Sequence, residues 1–351
     1  MTNVTSGINY TSTEGEHSTW QGISVIYGTA MFFVLTIGFL GNVISIIILR
    51  YRVHRKKIIT PLMLNLAVSD ILITVLVYPV MFLTHMLGQP LQAGSLRCMW
   101  SSFANGASGM TSIATLVAMS GIMYHVLKQP LRRPYIKPRN MNFLVAATWL
   151  SGILANLPPL IGWSRAVPGK AGFSCAPEWT TSDPWAISYI IFLVCFGFFT
   201  PLFLIGNYHY LIYRLIGDTR VPLEGSLNHI MRVSRQKSQM KLVRMTAISI
   251  AAFLISWLPY TAVSIAALIR GRHVLTSGEA EIPELMAKAS VIYNPFVYMF
   301  MNGAYRASFW ELFSGNKEVR TNLHPTTNSA EGRVSSENSG TVNKSYEETA
   351  L

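Results

Sequence analysis

The chain of 351 residues is 50% hydrophobic and only 13% charged, whereas a soluble domain usually carries about 25% charged residues, so the composition indicates a membrane protein. The net charge of +12 would suit a nucleic-acid partner, but the basic residues lie where the membrane topology described below requires them, which excludes that class. Three cysteines are too few for a disulfide scaffold or a four-ligand zinc site, and no histidine cluster or hydrolytic motif predicts a metal centre or an enzyme.

The predicted elements begin with a polar tail over residues 1–23, which carries glycosylation sequons at Asn3 and Asn9. Seven membrane spans follow within residues 24–303. The first six are stretches without Lys, Arg, Asp or Glu that are long enough for the roughly 20 residues of a spanning helix. These stretches are residues 17–49, 71–96, 98–127, 140–164, 184–213 and 245–269.

The seventh span covers about residues 281–302 and is apolar except for Lys288 and two glutamates near its start. Residues 304–314 then place aromatic side chains on one helical face, which predicts an amphipathic helix lying at the membrane interface. Residues 315–351 are polar and rich in Ser and Thr, and they predict a disordered tail. The sequence therefore predicts an all-α membrane protein, a seven-transmembrane helix bundle followed by a short interfacial helix.

Basic residues set the orientation of these spans. With the N-terminus outside, the cytoplasmic segments hold 22 of the 28 Lys and Arg residues and the external segments hold five. Such an excess on one side is the positive-inside pattern. We therefore expect a multi-pass protein of the plasma membrane, embedded in the lipid bilayer with an extracellular N-terminus.

Short motifs on five of the spans combine polar and helix-kinking residues. They are Gly41-Asn42, Asn65-Leu-Ala-Val-Ser-Asp70, Trp149, Ser256-Trp257-Leu258-Pro259-Tyr260 and Asn294-Pro295-Phe-Val-Tyr298. Asn42, Asp70 and Asn294 lie at hydrocarbon depth, where polar side chains face the bundle interior and pair with one another. Pro259 and Pro295 each remove a backbone hydrogen bond and kink their helices, which creates a point about which a helix can swing.

These five motifs, in this order and each on its proper span, resemble the rhodopsin-like receptor family over residues 25–315. The resemblance implies a disulfide between Cys98, at the outer end of the third span, and Cys175 in the second external loop, which would pin that loop over the bundle. The outside is oxidising, so such a bond can persist. Cys195 is left over in the fifth span, where we expect a buried thiol.

Lys288 lies inside the seventh span, six residues before Asn294. An ammonium group at that depth costs roughly 2.5–3.5 kcal/mol, so the lysine needs a partner or a covalent role. The segment from Met286 to Pro295 resembles the retinal-attachment segment of opsins, and Lys288 keeps the opsin spacing to Trp257. The resemblance implies retinal bound to Lys288 as a Schiff base, in the 11-cis form in the dark.

The same resemblance implies a pocket for the chromophore. Trp257 and Tyr260 from the sixth span, Gly109 from the third and Phe198 from the fifth match chromophore-facing positions, and the external loop 163–175 would form a lid. The aromatic side chains would line an apolar sleeve for the polyene, and Gly109 would leave room for it. A Glu–Lys bridge in a receptor that does not sense light is the alternative explanation of the buried lysine.

A protonated Schiff base needs a negative charge nearby, since removing the partner of a buried charge costs about 3–5 kcal/mol. The two positions that usually carry this counterion in opsins are occupied here by Ser101 and Gly169, and neither can be charged. Glu284 lies four residues before Lys288 on the same helical face, so we predict it as the counterion, an arrangement that resembles a subset of anthozoan opsins. Two alternatives stay open: a bound chloride with Glu284 protonated, and an unprotonated Schiff base.

The inner end of the third span departs from the family pattern. An acid-Arg-Tyr triplet normally stands there, and alignment from Cys98 places Ile122-Met123-Tyr124 at this position. In the family, an acid at the base of the sixth span usually pairs with this arginine. Gln239 occupies the position of that acid here. Both partners of an ionic contact are therefore absent together. The sequence leaves open how strongly the protein couples to a G protein.

We therefore predict a light-sensing receptor that signals to a heterotrimeric G protein, and the cytoplasmic end of the seventh span keeps the tyrosine of its motif, Tyr298. The tail offers ten Ser and Thr residues from Thr321 to Thr349, which a receptor kinase and an arrestin could use. One alternative is a retinal photoisomerase or other non-signalling opsin, because the triplet is missing. The other is a receptor for a diffusible ligand.

Overall fold

The structure, a computed structural model, describes residues 14–55, 57–87, 91–128, 136–170, 172, 174–218 and 227–314. The predicted glycosylation sites and the predicted phosphorylation sites of the tail lie outside the described residues. Within the described residues most of the chain is helical. The prediction of an all-α protein agrees with this architecture.

Twelve α-helices and one short hairpin occur in the described part of the chain. The helices are α1 Glu14–Leu49, α2 Arg52–Arg55, α3 Thr60–Leu76, α4 Tyr78–Met86, α5 Leu96–Lys128, α6 Pro138–Asn156, α7 Pro184–Val194, α8 Thr200–Asp218, α9 Leu227–Arg270, α10 Ser277–Lys288, α11 Ser290–Met301 and α12 Gly303–Ser314. The strands are β1 Ala166–Pro168 and β2 Cys175–Pro177. A 3-10 turn over Pro158–Ile161 follows α6, and a π-turn over Cys195–Phe199 joins α7 to α8.

Seven units of this set correspond to the predicted spans. They are α1, α3 with α4, α5, α6, α7 with α8, α9, and α10 with α11, and they are called spans one to seven below. By length and composition, five segments of the described chain could cross a membrane: residues 26–49, 60–84, 96–128, 184–216 and 239–270. Span four is a helix of 19 residues, and span seven consists of two helices of 12 residues. Both pack within the bundle, span four on α5 and span seven on α1 and α9.

Span two begins at Thr60, whereas the charge-free stretch begins at residue 71. The difference arises from Asp70, which lies inside α3 and is only 4% exposed. Its carboxyl group accepts hydrogen bonds from Asn294 Nδ2 at 3.0 Å and from Ser112 Oγ at 3.4 Å. Because these bonds compensate for the loss of water, the bundle accommodates an acid that a search for charge-free stretches treats as a boundary.

Span seven is interrupted directly after Lys288, although the sequence predicted one continuous span. The amide of Ile292 donates to the carbonyl of Ala289 at 3.0 Å, three residues back rather than four. The carbonyl of Lys288 instead accepts a hydrogen bond from the hydroxyl of Tyr78 at 2.8 Å. A side chain of span two therefore satisfies the backbone at the interruption, next to the lysine.

The proline of span seven is held in a similar way from span one. Pro295 has no amide hydrogen to donate to the carbonyl of Val291, and Asn42 Nδ2 donates to that carbonyl at 2.9 Å. Asn42 thus bonds to backbone, whereas Asp70 and Asn294 bond to each other. The three polar residues of the motifs all connect span seven to its neighbours, but through two separate contacts.

Helix α12 packs against the inner end of the bundle, in the segment where the sequence predicted an interfacial helix. Tyr305 is 2% exposed, and its hydroxyl shares a hydrogen bond of 2.7 Å with Ser45 of span one. Phe313, two turns further on, is 61% exposed. The first turn of α12 is therefore anchored in the protein, and its far end presents an aromatic side chain outward.

His54 connects α2 to α12 and makes this contact sensitive to pH. Its ring shares a hydrogen bond of 3.1 Å with Ser308 Oγ, and burial, followed by the charge of Lys57, lowers the pKa of His54 from 6.5 to about 4. The unfolded chain then binds a proton that the folded state excludes, so this contribution to stability is complete above about pH 6.5 and falls by up to about 3 kcal/mol by about pH 4.

We expect the stability advantage of the wild type over His54→Gln to shrink over that pH range. Thermal unfolding of both proteins in detergent, measured at a series of pH values, tests this. All other titratable groups are the same in both proteins, so their contributions cancel in the difference between wild type and variant. A difference in Tm that stays constant with pH would contradict the assignment.

Candidate functional site

A hairpin covers the outer end of the bundle. β1 and β2 pair antiparallel, with Val167 opposite Ala176. Cys175, at the start of β2, is joined by a disulfide to Cys98 at the outer end of span three, and their Cα atoms are 5.3 Å apart. The predicted disulfide is thereby confirmed. It fixes the hairpin on span three, where β2 forms part of the roof of a cavity.

This cavity lies between spans three, five and six. All four residues predicted to face a chromophore line it: Gly109, Phe198, Trp257 and Tyr260. Most of the remaining walls are apolar. An apolar lining with a few polar groups is the character of small-molecule sites.

Trp257 is held in the cavity wall by contacts on several sides. Its Nε1 donates to Ser290 Oγ at 3.2 Å, its ring stacks on Phe253 at 5.7 Å, and Tyr260 meets it edge to face at 6.1 Å. Gly109 faces the ring closely, because a Cβ at that position would lie 3.2 Å from it. A larger residue at position 109 would therefore push the indole, so the glycine makes room for the tryptophan as well as for a ligand.

Phe198 reaches the cavity from the π-turn of span five. Such turns re-aim side chains and are frequent at functional sites. The turn presents Gly197 and Phe198 to the cavity, whereas Cys195 is exposed on the outside of the bundle. The expectation of a buried thiol at Cys195 was therefore wrong, since the sequence did not indicate the π-turn.

Lys288 ends α10 and is 3% exposed. Its ammonium group forms an ion pair with Glu284, and its Nζ donates a hydrogen bond to the hydroxyl of Tyr27 in span one at 3.4 Å. The predicted pair of charges is thus in contact, but neither residue lines the cavity. Ser290, two residues further on, contacts Trp257 of the cavity wall, so the lysine must turn from Tyr27 toward that wall to meet a ligand in the cavity.

The two positions that usually carry an opsin counterion are arranged differently. Ser101 is fully buried and does not line the cavity, and its hydroxyl donates to the carbonyl of Cys98 at 3.1 Å. A Cβ on Gly169, at the end of β1, would lie 3.9 Å from Glu284 Oε2. A side chain at position 169 of the lid would therefore contact the carboxylate of Glu284.

Three residues around Lys288 were not found by sequence reasoning: Tyr27, Tyr78 and Glu281. The tyrosines come from spans one and two, and no local motif connects them to the lysine. Glu281 is 4% exposed, and its Oε2 has no hydrogen-bond partner among the described residues. Its spacing of seven residues from Lys288 places both on one helical face, so the sequence did contain a signal for Glu281.

Comparison with known proteins identifies the family. The sequence model described as "7 transmembrane receptor (rhodopsin family)" matches residues 41–298. The chain belongs to the rhodopsin family of seven-transmembrane receptors. The family predicted from the five motifs is thereby confirmed, together with the seven-helix fold.

Relatives of this receptor include proteins named as melanopsins. That of Phodopus sungorus is 34% identical over 291 residues, which cover 81% of this chain and 61% of the relative. That of Homo sapiens is 32% identical over 292 residues, covering 80% and 60%. The receptor therefore spans about 60% of the length of these relatives. Their names confirm the resemblance to opsins, and the narrower resemblance to anthozoan opsins stays a prediction.

A solved structure shows the same fold. The crystal structure of squid rhodopsin superposes on the receptor with a TM-score of 0.74 and 22% sequence identity, covering 88% of this chain and 89% of that chain. At this identity the likeness concerns the arrangement of the helices alone. It supports the assignment of α6 and of the interrupted α10 and α11 as spans four and seven.

The motif of span two connects three spans of the receptor. Asn65 Nδ2 donates to the hydroxyls of Thr115 at 2.8 Å and Thr148 at 3.1 Å. Its Oδ1 accepts a hydrogen bond from Trp149 Nε1 at 2.8 Å. One amide thus links span two to spans three and four, and gives the motif tryptophan of span four a structural role.

The inner end of span three is packed with apolar side chains where the family normally has an arginine. Met123 is 1% exposed and belongs to the same core as Ile212 of span five and Val243 of span six. Gln239 is 5% exposed, and neither atom of its amide has a hydrogen-bond partner among the described residues. Apolar packing therefore stands here in place of an ionic contact.

Restoring the arginine alone is expected to destabilise the receptor. Met123→Arg buries a charge without a partner, which costs about 3–5 kcal/mol. Gln239 lies one turn before Val243, which packs in the same core as Met123, so adding Gln239→Glu supplies a nearby carboxylate. We expect the double variant to recover stability with a coupling energy of about 0.5–3 kcal/mol. Unfolding of the wild type, both single variants and the double variant measures it, and additive effects would contradict the contact.

Proposed function

We propose that the receptor is a light-sensing opsin that binds retinal covalently through Lys288 and signals to a heterotrimeric G protein. The observation that carries the proposal is the ion pair of the buried Lys288 with Glu284, two residues before Ser290, which contacts the aromatic wall of a cavity. A charged lysine inside a membrane span is costly and marks a functional site by default. An amine is also the group that forms a Schiff base with a carbonyl compound.

The residues present fit such a group. Gly109, Phe198, Trp257 and Tyr260 provide an apolar, aromatic space for a polyene. Glu284 would hold the positive charge at the attachment nitrogen. Retinal, expected as the 11-cis isomer in the dark, would supply the absorption of light and the change of shape that follows. A bound chloride with a protonated Glu284 is the alternative source of the negative charge, and the two are separated by the anion dependence of the spectrum.

The kinked spans would carry the change of shape inward. Pro259 and Pro295 lie within spans six and seven, and each gives its helix a point of bending. The resting and active arrangements would be states in equilibrium that the pocket biases. Tyr298 lies at the inner end of span seven near α12, where the G protein would bind. The tail would serve a receptor kinase and an arrestin, and the receptor would lie in the plasma or photoreceptor membrane with its N-terminus outside.

A retinal photoisomerase or other non-signalling opsin is the second candidate. The specific observation in its favour is Met123, which is buried among apolar side chains where the arginine of the triplet normally stands. A receptor without that arginine lacks a usual contact for a G protein. This candidate shares the retinal site with the first and differs from it only in the inner face.

Reconstitution with 11-cis-retinal tests the proposal. We expect the purified receptor to gain a visible absorption band, and illumination to accelerate nucleotide exchange on a G protein added to the membranes. Receptor kept in darkness and receptor without retinal are the controls. A visible band without light-dependent exchange on any G-protein class would support the second candidate. Absence of the band would contradict both and favour a receptor for a diffusible ligand.

A further inference from the structure

Two carboxyl groups, not one, lie on the helical face of the buried lysine. Glu281, Glu284 and Lys288 follow one another at spacings of three and four residues along α10, so their side chains share one face. Glu284 forms the ion pair with Lys288. Glu281 is the more deeply buried of the two acids, at 4% exposure, yet one of its oxygens has no hydrogen-bond partner among the described residues.

The surroundings of Glu281 contain too little positive charge for two carboxylates. Among the described residues Glu281 forms no ion pair, and Lys288, the one cation of its helix, is paired with Glu284. The neutral groups facing this cluster from other elements are Tyr27 of span one, Tyr78 of span two and Tyr260 of span six. Lys170 of the lid interacts with the exposed Glu279. One buried ammonium therefore faces one buried and one partly buried acid, and it is already paired with Glu284.

An ionised Glu281 would be a buried charge without its own partner and with an unsatisfied oxygen, which is strongly unfavourable. A protonated Glu281 avoids this cost, because a neutral carboxyl group beside an ion pair leaves the net charge of the cluster at zero. If the charge of Glu284 is removed, the ionised form of Glu281 becomes the favoured one, because the ammonium of Lys288 would otherwise be a buried charge without a partner. Glu281 is the remaining acid on its face.

We propose that Glu281 is the proton-holding member of a two-carboxyl site at Lys288, and that it ionises when Glu284 cannot carry the charge. The first half concerns the protein as it folds and holds with or without a chromophore. The consequence for a pigment rests on the proposed function. Glu281 would then be a positioning residue, since it acts on the attachment nitrogen mainly through the charge of Glu284.

Infrared spectroscopy of the purified receptor without retinal tests the first half directly. A protonated carboxyl group has a carbonyl stretching band that a carboxylate lacks. At neutral pH we expect the Glu281→Gln difference spectrum to show loss of one such band. Glu284→Gln should lose the same band, because Glu281 then ionises to pair with Lys288. Contributions of other buried acids, such as Asp70, cancel in the differences.

Glu279→Gln is the matched control, since Glu279 lies on the same helix but is exposed and caps it at Thr276. An exposed carboxyl group is ionised at neutral pH, so this variant should lose no acid band. Retention of the band in Glu281→Gln would overturn the proposal, and so would its retention in Glu284→Gln. If Glu281→Gln fails to fold, the spectrum of Glu284→Gln still decides, because the proposal requires the band to vanish there.

A second measurement uses the reconstituted pigment. The pH at which half of the visible band converts to an ultraviolet band should be lower in Glu281→Gln/Glu284→Gln than in Glu284→Gln, by about 1 to 3 pH units. Equal midpoints would overturn the substitute role. If the wild type forms no pigment, the proposed function fails, and the infrared result still supports or overturns the two-carboxyl site.

Discussion

Lys288→Ala is expected to abolish the visible absorption band completely after incubation with 11-cis-retinal. Among the lysines whose side chains the structure describes, Lys288 alone is buried, and alanine removes the amine on which a covalent attachment depends. The measurement is the absorption spectrum of the purified protein before and after acid denaturation, since a covalently attached chromophore stays with the chain. The cavity residues are untouched, so free retinal could still enter without producing the band.

Two further variants make this result interpretable. Lys170→Ala removes an exposed lysine of the lid whose Nζ donates to the carbonyl of Leu275, and it should keep the band. Lys288→Ala leaves the partly buried carboxylate of Glu284 without its partner, which is unfavourable, so Lys288→Ala/Glu284→Gln should be the more stable protein of the two. A visible band that persists in a folded Lys288→Ala variant would contradict the attachment site.

The parts of the site that sequence could predict are those carried by local spacing. Lys288 and Glu284 are four residues apart on one helix, and they are in contact. Trp257 and Tyr260 follow from a motif, and both line the cavity. Cys98 and Cys175 were paired through the family resemblance and are bonded. The first two follow from helix geometry or from a pattern of a few residues, and the disulfide, whose cysteines are 77 residues apart, follows from the family resemblance.

The parts that sequence did not predict depend on contacts between distant segments. Tyr27 meets Lys288 across 261 residues, and Tyr78 meets its carbonyl across 210. At the interruption of span seven after Lys288, the hydroxyl of Tyr78 takes the place of a helical hydrogen bond. No residue at the interruption predicts it from the sequence. The start of span two was predicted too late for the same reason, because the hydrogen-bond partners of Asp70 lie on other spans. Composition measures how polar a residue is, but burial depends on which partners the fold brings to it.

Glu284→Gln is expected to move the pigment from the visible to the ultraviolet at neutral pH. Loss of a buried partner worth about 3–5 kcal/mol corresponds to a fall of about 2 to 4 pH units in the midpoint of the conversion. We expect the lower end of this range, because Glu281 lies two helical turns, about 10 Å, from Lys288 and can substitute in part. The spectrum of the variant across pH measures the midpoint. An unchanged midpoint, together with a shift when chloride is replaced by a larger anion, would assign the charge to chloride.

A carboxylate introduced at position 169 of the lid should reverse the effect of Glu284→Gln on the midpoint. A Cβ at position 169 would lie 3.9 Å from the oxygen that this variant makes neutral, and Gly169 does not have the left-handed backbone found at Gly172. Gly169→Asp in the Glu284→Gln background would therefore place a carboxylate beside the amine without backbone strain, and we expect it to recover at least about 1 pH unit of the lost midpoint. Gly169→Asn has the same shape without the charge and should recover none. Equal behaviour of the two would mean that Glu284 acts through packing, because a true counterion is defined by its charge and can be supplied from any element that reaches the lysine.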